Sequence, residues 1–239
     1  MSTISAGSGS RLVIASFVLL GLAACQTSPP VVNTPPPAQP VADSTAIPAG
    51  AHEYKIVAEE SLLQILVYRG GAMARLGHNH VIASHHLSGS VFLTDDLAQS
   101  RFNIEFPVEE LTVDEPVMRE KAGADFPPGV PQSARDGTRK NMLSEALLDG
   151  ANYPSVRLRA TEVVAAGENF EVDVEISLKD QVHHVRVPMQ VGRKDGVISA
   201  SGEFPLRQSE LGLKPFSAAM GALLVVDEMR VRFEVIAGG

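Results

Sequence analysis

From residue 170 to residue 178 the chain reads FEVDVEISL, and every second residue is apolar. Phe170, Val172, Val174, Ile176 and Leu178 share one side; Glu171, Asp173, Glu175 and Ser177 share the other. Side chains of a strand alternate between faces, so this stretch is a half-exposed antiparallel strand; no helix gathers those five apolar residues on one side. After a turn at Lys179-Asp180-Gln181 the phase resumes with Val185, Val187, Met189 and Val191. Lys194-Asp195-Gly196 then supplies hairpin chemistry and leads into Ile198, Ala200, Gly202 and Phe204. Residues 62–69, 102–106, 156–163 and 225–235 are further strand candidates. Strands joined by short turns make an antiparallel meander, and closing it into a barrel removes the exposed edges. The expected fold is therefore mostly β, an antiparallel β-barrel with one or two short helices.

Two intervals break the alternation. Residues 139–149 place Met142, Leu143, Ala146 and Leu147 on one helical face, with Gly150 as a C-terminal stop. Residues 114–137 are rich in proline, glycine and charge, and are expected to form a loop with a short helix. Loops of that length tend to act as lids or covers.

The N-terminus speaks to location. Arg11 precedes a 13-residue apolar run, LVIASFVLLGLAA, that stops at Cys25, the only cysteine. The run is too short to cross roughly 30 Å of hydrocarbon, which takes about 20 residues, and reads as a signal-peptide core. Leu22-Ala23-Ala24-Cys25 resembles the lipobox of bacterial lipoproteins. The resemblance implies a signal peptide over 1–24, a diacylglycerol on Cys25 and stable membrane anchoring by several acyl chains, palmitate among them. Gln26 after the cysteine implies sorting to the outer membrane, with the domain facing the periplasm. Residues 26–50 carry seven prolines and read as an extended tether, so the domains are expected at 1–24, 25–50 and 51–239. Loss of Arg11 with the leader takes the formal charge from −8 to −9. An acidic chain without a basic cluster is a poor partner for nucleic acid or for an anionic membrane. Acylated Cys25 would leave no thiol for disulfides or catalysis.

Four blocks then carry a wider resemblance: ANYPSVRLRATEV (151–163), ISLKDQVHHVRVPMQV (176–191), FPLRQSELGL (204–213) and LVVDEMRVRFEV (224–235). In this order and spacing they resemble the YceI-like family across nearly all of 51–239. The resemblance implies a lipocalin-like antiparallel barrel that binds a polyisoprenoid or other long-chain lipid, with no catalytic step. One departure concerns the head-group region: where many members carry an Arg-Asp pair and a His before the helix, this chain reads Thr138-Arg139-Lys140-Asn141. Arg139 or Lys140 is left as the electrostatic substitute. A barrel lined by Val, Ile, Leu, Met and Phe forms an apolar cavity, and inward Ala200 and Gly202 beside Phe204 would leave room in it. A solid packed barrel is the plainer alternative.

Arg75 to Leu87 reads RLGHNHVIASHHL and holds four of the seven histidines. If 78–82 is a strand, His78 and His80 share a face with Ile82, about 7 Å apart, while Asn79 and Val81 share the other. On the later strand His183 is in phase with Val185, Val187 and Met189, hence inward, while His184 goes outward with Arg186. Asp227, in phase with Val225, Met229 and Val231, is an inward carboxylate candidate. Three roles stay open for the histidines. They form the polar end of a lipid pocket with Arg139, they satisfy backbone groups near Gly77, or His78, His80 and His183 hold zinc or copper. The string HNH lacks the hairpin-helix context and basic surface of the nuclease of that name. His85-His86 is expected at a turn and His52 in solvent. Ser84 with His86 is too local for a triad, and no nucleophile with an oriented base is recognisable, so no enzyme is expected. Expected partners are the lipid ligand, the membrane through the anchor, and a second copy in a homodimer; no cofactor is expected beside the lipid. An envelope-stress or assembly scaffold remains the third class.

Overall fold

The computed structural model describes residues 47–239. The expected signal peptide 1–24, Cys25 and all of the tether before Ile47 lie outside the described residues. Within them the strands are β1 His52–Ile56, β2 Leu62–Val67, β3 Arg69–Gly70, β4 His80–Ser84, β5 Ser88–Leu93, β6 Arg101–Pro107 and β7 Thr112–Val113. The helices α1 Pro116–Ala122 and α2 Gln132–Leu143 follow. Next come β8 Ser155–Ala166, β9 Asn169–Leu178, β10 Gln181–Lys194, β11 Val197–Arg207, β12 Ser217–Ala218, β13 Leu223–Val225 and β14 Glu228–Gly238. The ladder β1-β5-β6-β8-β9-β10-β11-β14 returns to β1 and closes an eight-stranded antiparallel barrel.

Three of the barrel strands are interrupted rather than continuous. β14 pairs with β1 at Lys55–Ile56 and with β2 from Leu62 to Leu66, so β1 and β2 lie end to end along one neighbour. β5 and β4 line up in the same way beside them, and β6 and β7 follow. The breaks hold Ser61, His85 to Leu87 and the turn at Val108–Glu110. Ser61 fills the first: its hydroxyl donates to the Val57 carbonyl and accepts from the Ile236 N–H.

The end where β2, β10 and β14 meet carries α2, its following turns and a small second sheet of β12, β13 and β3. At the opposite end β1 begins and β14 finishes side by side, with Tyr54, Leu93, Ile198 and Ala237 packed into a plug. Arg193 donates to the Tyr54 hydroxyl over that plug.

The inward phase of 170–204 agrees with the sequence reading: β9 pairs His183 with Ile176, Val185 with Val174 and Val187 with Val172. Other expectations are corrected. The helix does not span 139–149; α2 starts at Gln132 after Pro131 and ends at Leu143, where Ser144 turns extended. The proline sets a helix start, so much of the expected loop 114–137 is helical, in α1 and the first turns of α2. The expected strand 225–235 is broken at Val226–Asp227, because Val225 pairs with Arg69 in the small sheet rather than with β11. Strand β4 starts at His80, two residues later than the expected 78.

The β10–β11 ladder is short. It joins Gln190–Lys194 to Val197–Ser201 and stops, while β10 continues to pair with β9 as far as Gln181 and β11 with β14 as far as Arg207. Pro188 on β10 and Pro205 on β11 stand where the next rungs would form and have no N–H to give. The resulting seam is filled at its end by the segment 208–213, with Gly212 against Gln181 and His183.

Candidate functional site

Inward side chains of the barrel strands converge on a cavity of about 290 Å³. Its walls come from every one of the eight strand positions: Ile65, Ile104, Ala160, Val174, Met189 and Val231 are representative. Met142 of α2, Leu147, Leu148, Leu211 and Leu213 close the helix-bearing end. Alternation explains this composition, because each strand sends one apolar residue in two toward the same space while Arg and Glu go out. The polar residues on the lining are Ser100, Arg101 and Gln208. Arg101 sits at the plugged end with its guanidinium on the carbonyls of Ala98 (3.1 Å) and Ser100 (2.7 Å).

Of the residues expected to meet a ligand, Ala200 and Phe204 line this cavity. Gly202 provides no extra room: the Phe233 ring lies over it, and a Cβ there would come within 2.8 Å of that ring and 2.5 Å of the Pro188 carbonyl. Asp227 is not inward. It lies in the break before β14, where its carboxylate accepts from the Ser209 N–H (2.9 Å) and hydroxyl (2.6 Å), bonds that hold its acidity strong. Arg139 turns away from the cavity and donates to the Leu111 and Glu109 carbonyls, tying α2 to the break after β6.

His80 is inward beside Ile82, as its phase requires, but it stands in a polar network rather than on the cavity wall. Its Nδ1 lies 2.5 Å from Asp114 Oδ2, and its Nε2 lies 3.1 Å from the Thr138 hydroxyl. A carboxylate accepts, so Nδ1 carries a proton toward Asp114, while Nε2 pairs with the Thr138 hydroxyl, which can either give or take a hydrogen. Asp114 Oδ1 takes the Val81 N–H (2.9 Å) and the Arg119 guanidinium (2.5 Å). Arg119 also donates to the carbonyls of Asn79 and Pro127. Burial alone would raise the Asp114 carboxyl, but the bonds from His80, Val81 and Arg119 outweigh it and hold it below 3.8. His78 stands edge-on to His80, ring centres 6.1 Å apart; burial first, and then the positive surroundings of His80 and Arg119, push its imidazole down. The two rings are neighbours, although His78 precedes β4 and the pair is not two positions of one strand. His85 contacts Glu115 at 2.9 Å in the break between β4 and β5.

His183 is separated from β4 by β11, β14 and β2 in the sheet order. The three histidines do not come together, and no group of three metal-binding side chains converges among the described residues. His183 Nε2 is instead buried at the β10–β11 seam without a hydrogen-bond partner. Sequence reasoning missed Asp114, Arg119 and Arg101. Asp114 and Arg119, five residues apart at the head of a short helix, were the available signal; nothing marked Arg101 apart from its place at the start of a strand.

A closed antiparallel barrel around an apolar cavity, with its polar groups at the ends, is the architecture of a protein that encloses a hydrophobic ligand. The YceI-like domain model matches residues 54–237, and the chain belongs to that family. Among solved structures it is similar to BcnA of Burkholderia cenocepacia, at 14% identity and a TM-score of 0.56 over 76% of this chain and 99% of that one. It is also similar to a Campylobacter jejuni YCEI protein, at 10% identity and a TM-score of 0.44 over 64% and 81%. No curated protein sequence matches the chain.

Proposed function

We propose that the barrel carries a long-chain amphiphile, a polyisoprenoid or a similar lipid, tail inward, and that it does so in the cell envelope as a lipoprotein anchored through Cys25 to the outer membrane and facing the periplasm. The observation that carries this reading is the continuous apolar lining of a cavity enclosed by all eight strand positions. Its volume of about 290 Å³ lies just below the roughly 300–1,000 Å³ typical of small-molecule sites, which suits a slender chain. His183 is not on the cavity wall, but its orphaned Nε2 lies at the seam against Gly212, beside the lining residues Gln208, Leu211 and Leu213, and in this reading it meets the polar end, a hydroxyl or a carbonyl. Binding rather than catalysis is the role, because both His80 nitrogens are engaged within the fold and His183 has no orienting partner. No resident metal is part of this reading.

Native mass spectrometry of the purified chain, with lipid extraction, tests it. The expected result is a co-purifying long-chain lipid. His183→Leu should weaken retention of a hydroxyl- or carbonyl-bearing prenyl ligand by about tenfold, the effect of one hydrogen bond of ~1.4 kcal/mol, and leave a plain hydrocarbon chain unaffected. Protein repeatedly free of lipid and unable to take up a prenyl ligand would sink the carrier role.

A further inference from the structure

The small sheet at the helix-bearing end has no role in closing the barrel, and its tip is apolar and exposed. Met73 and Leu76, in the turn after β3, are 39% and 62% exposed; Phe216, before β12, is 42% exposed. Met220, between β12 and β13, is fully exposed. These residues belong to one lobe: β12 and β3 both pair with β13, and the Met73 N–H donates to the Ala222 carbonyl. The tip is held out by strained backbone, with Ala219 and Met220 consecutively left-handed at φ 48° and 55°. A β-turn tip of that kind ordinarily carries glycine or asparagine, and a methionine there presents its side chain to the outside at a conformational cost.

Charge says what covers it. The chain has 28 acidic residues, yet neither 69–78 nor 211–226 contains one. The same two segments contribute exposed Arg69, Arg75 and Lys214 around the apolar tip. Two acidic groups at the base are engaged within the fold: Glu210 accepts from the Arg207 N–H and Asp227 from Ser209. An apolar tip inside a basic collar, on an otherwise acidic surface, matches the interface of an anionic bilayer, whose headgroups take the cations while Met, Leu and Phe enter the acyl boundary. Leu213, three residues before Phe216 in the chain, is itself on the cavity lining.

We propose that the lobe formed by residues 71–77 and 214–222 docks on anionic phospholipid surfaces, bringing the helix-bearing end of the cavity to the membrane. The proposal stands on this surface alone and goes beyond the carrier reading; lipid extracted from the barrel of the same protein reports separately on cargo. The full chain carrying Cys25→Ser, with a single new thiol at Met220→Cys, is labelled with an environment-sensitive fluorophore. Phe216→Cys provides a second reporting position, and Val164→Cys, exposed on β8 toward the opposite end, reports any contact made by the remainder of the chain. Vesicles of phosphatidylcholine with one-quarter phosphatidylglycerol should shift the emission at 220 and 216 to the blue and leave 164 unchanged. Arg75→Gln and Lys214→Gln should each weaken partition by about fivefold, the effect of one basic residue near a charged surface. No shift at 220 and 216, an equal shift at 164, or an equal shift on neutral vesicles overturns the proposal. A shift that appears without vesicles as protein concentration rises assigns the face to a second copy. One that appears only with envelope proteins assigns it to a protein partner, and either overturns membrane docking.

Discussion

Two donors reach Asp114 Oδ1, the Val81 N–H and the Arg119 guanidinium, while Oδ2 faces the His80 ring, and the carboxylate is completely shielded from solvent. The group thereby joins β4, β7 and α1, and through His80 and Thr138 it reaches α2. Removing one member of such a buried set leaves the others charged and unpaired. Asp114→Asn should cost about 3–5 kcal/mol at pH 7, read from urea unfolding, because Arg119 keeps its charge without a counterion. The pH dependence has a definite sign. The folded-state value lies below the 3.8 of an ordinary Asp, so the unfolded chain binds the extra proton first as pH falls. The contribution is complete above about pH 4 and disappears as pH falls through the depressed value, so wild type and variant should converge in the acid range. His183 is the opposite case, a polar atom that is buried and unanswered. Replacing it by leucine should leave the ligand-free protein equally stable or more stable by about 1 kcal/mol, since an unsatisfied buried group carries a desolvation cost.

At the level of elements, alternation carried the barrel. FEVDVEISL and the strand after it declared their inward faces in the sequence, and Ile176, Val174 and Val187 stand where that phase puts them. Phase also placed His80 beside Ile82. It cannot say which strands become neighbours, and for that reason His78, His80 and His183 seemed able to meet although three strands separate β4 from β10. Breaks were equally hidden. Asp227 shared the parity of Val225 and Met229, but parity has meaning only along an unbroken strand, and Val225 belongs to a different sheet. Asp114 was invisible as the partner of His80 because the contact spans 34 residues and depends on a turn at positive φ, Asp114 at 56°. The seam is the element-scale feature with the clearest signature. From residue 182 to 187 only the β9 side of β10 is paired, so hydrogen exchange should alternate between slow and fast amides there. Residues 190–194 pair with β11 alone, because the β9 ladder ends at Met189, so their amides should alternate too; uniform protection from 182 to 187 would show that the seam is shut.

For the whole molecule the question is what an unfilled apolar space does to stability. A ligand that binds only the folded barrel raises stability by about 2.7 kcal/mol at a hundred times its dissociation constant. The melting temperature of protein stripped of lipid should therefore rise on adding prenyl ligand. Ala200→Trp puts an indole into the cavity in place of a methyl group. That variant should lose ligand uptake at least tenfold while its unliganded melting temperature holds or rises, because the ring occupies space the native chain leaves empty. A fall in melting temperature would mean that the walls are packed too closely to accept it.

β1 opens and β14 closes at the same pole, with Gly238 opposite Lys55 and the last residue, Gly239, against the Tyr54 ring. Sequence order around this barrel is thus nearly circular. A short linker from Gly239 to Ala51, with new ends cut at the Lys179–Asp180 turn between β9 and β10, would give a circular permutant that retains every barrel ladder. The same adjacency tells an engineer where to append a tag. At the C-terminus it sits beside the incoming N-terminal chain, a full barrel length from α2, the seam and the small sheet.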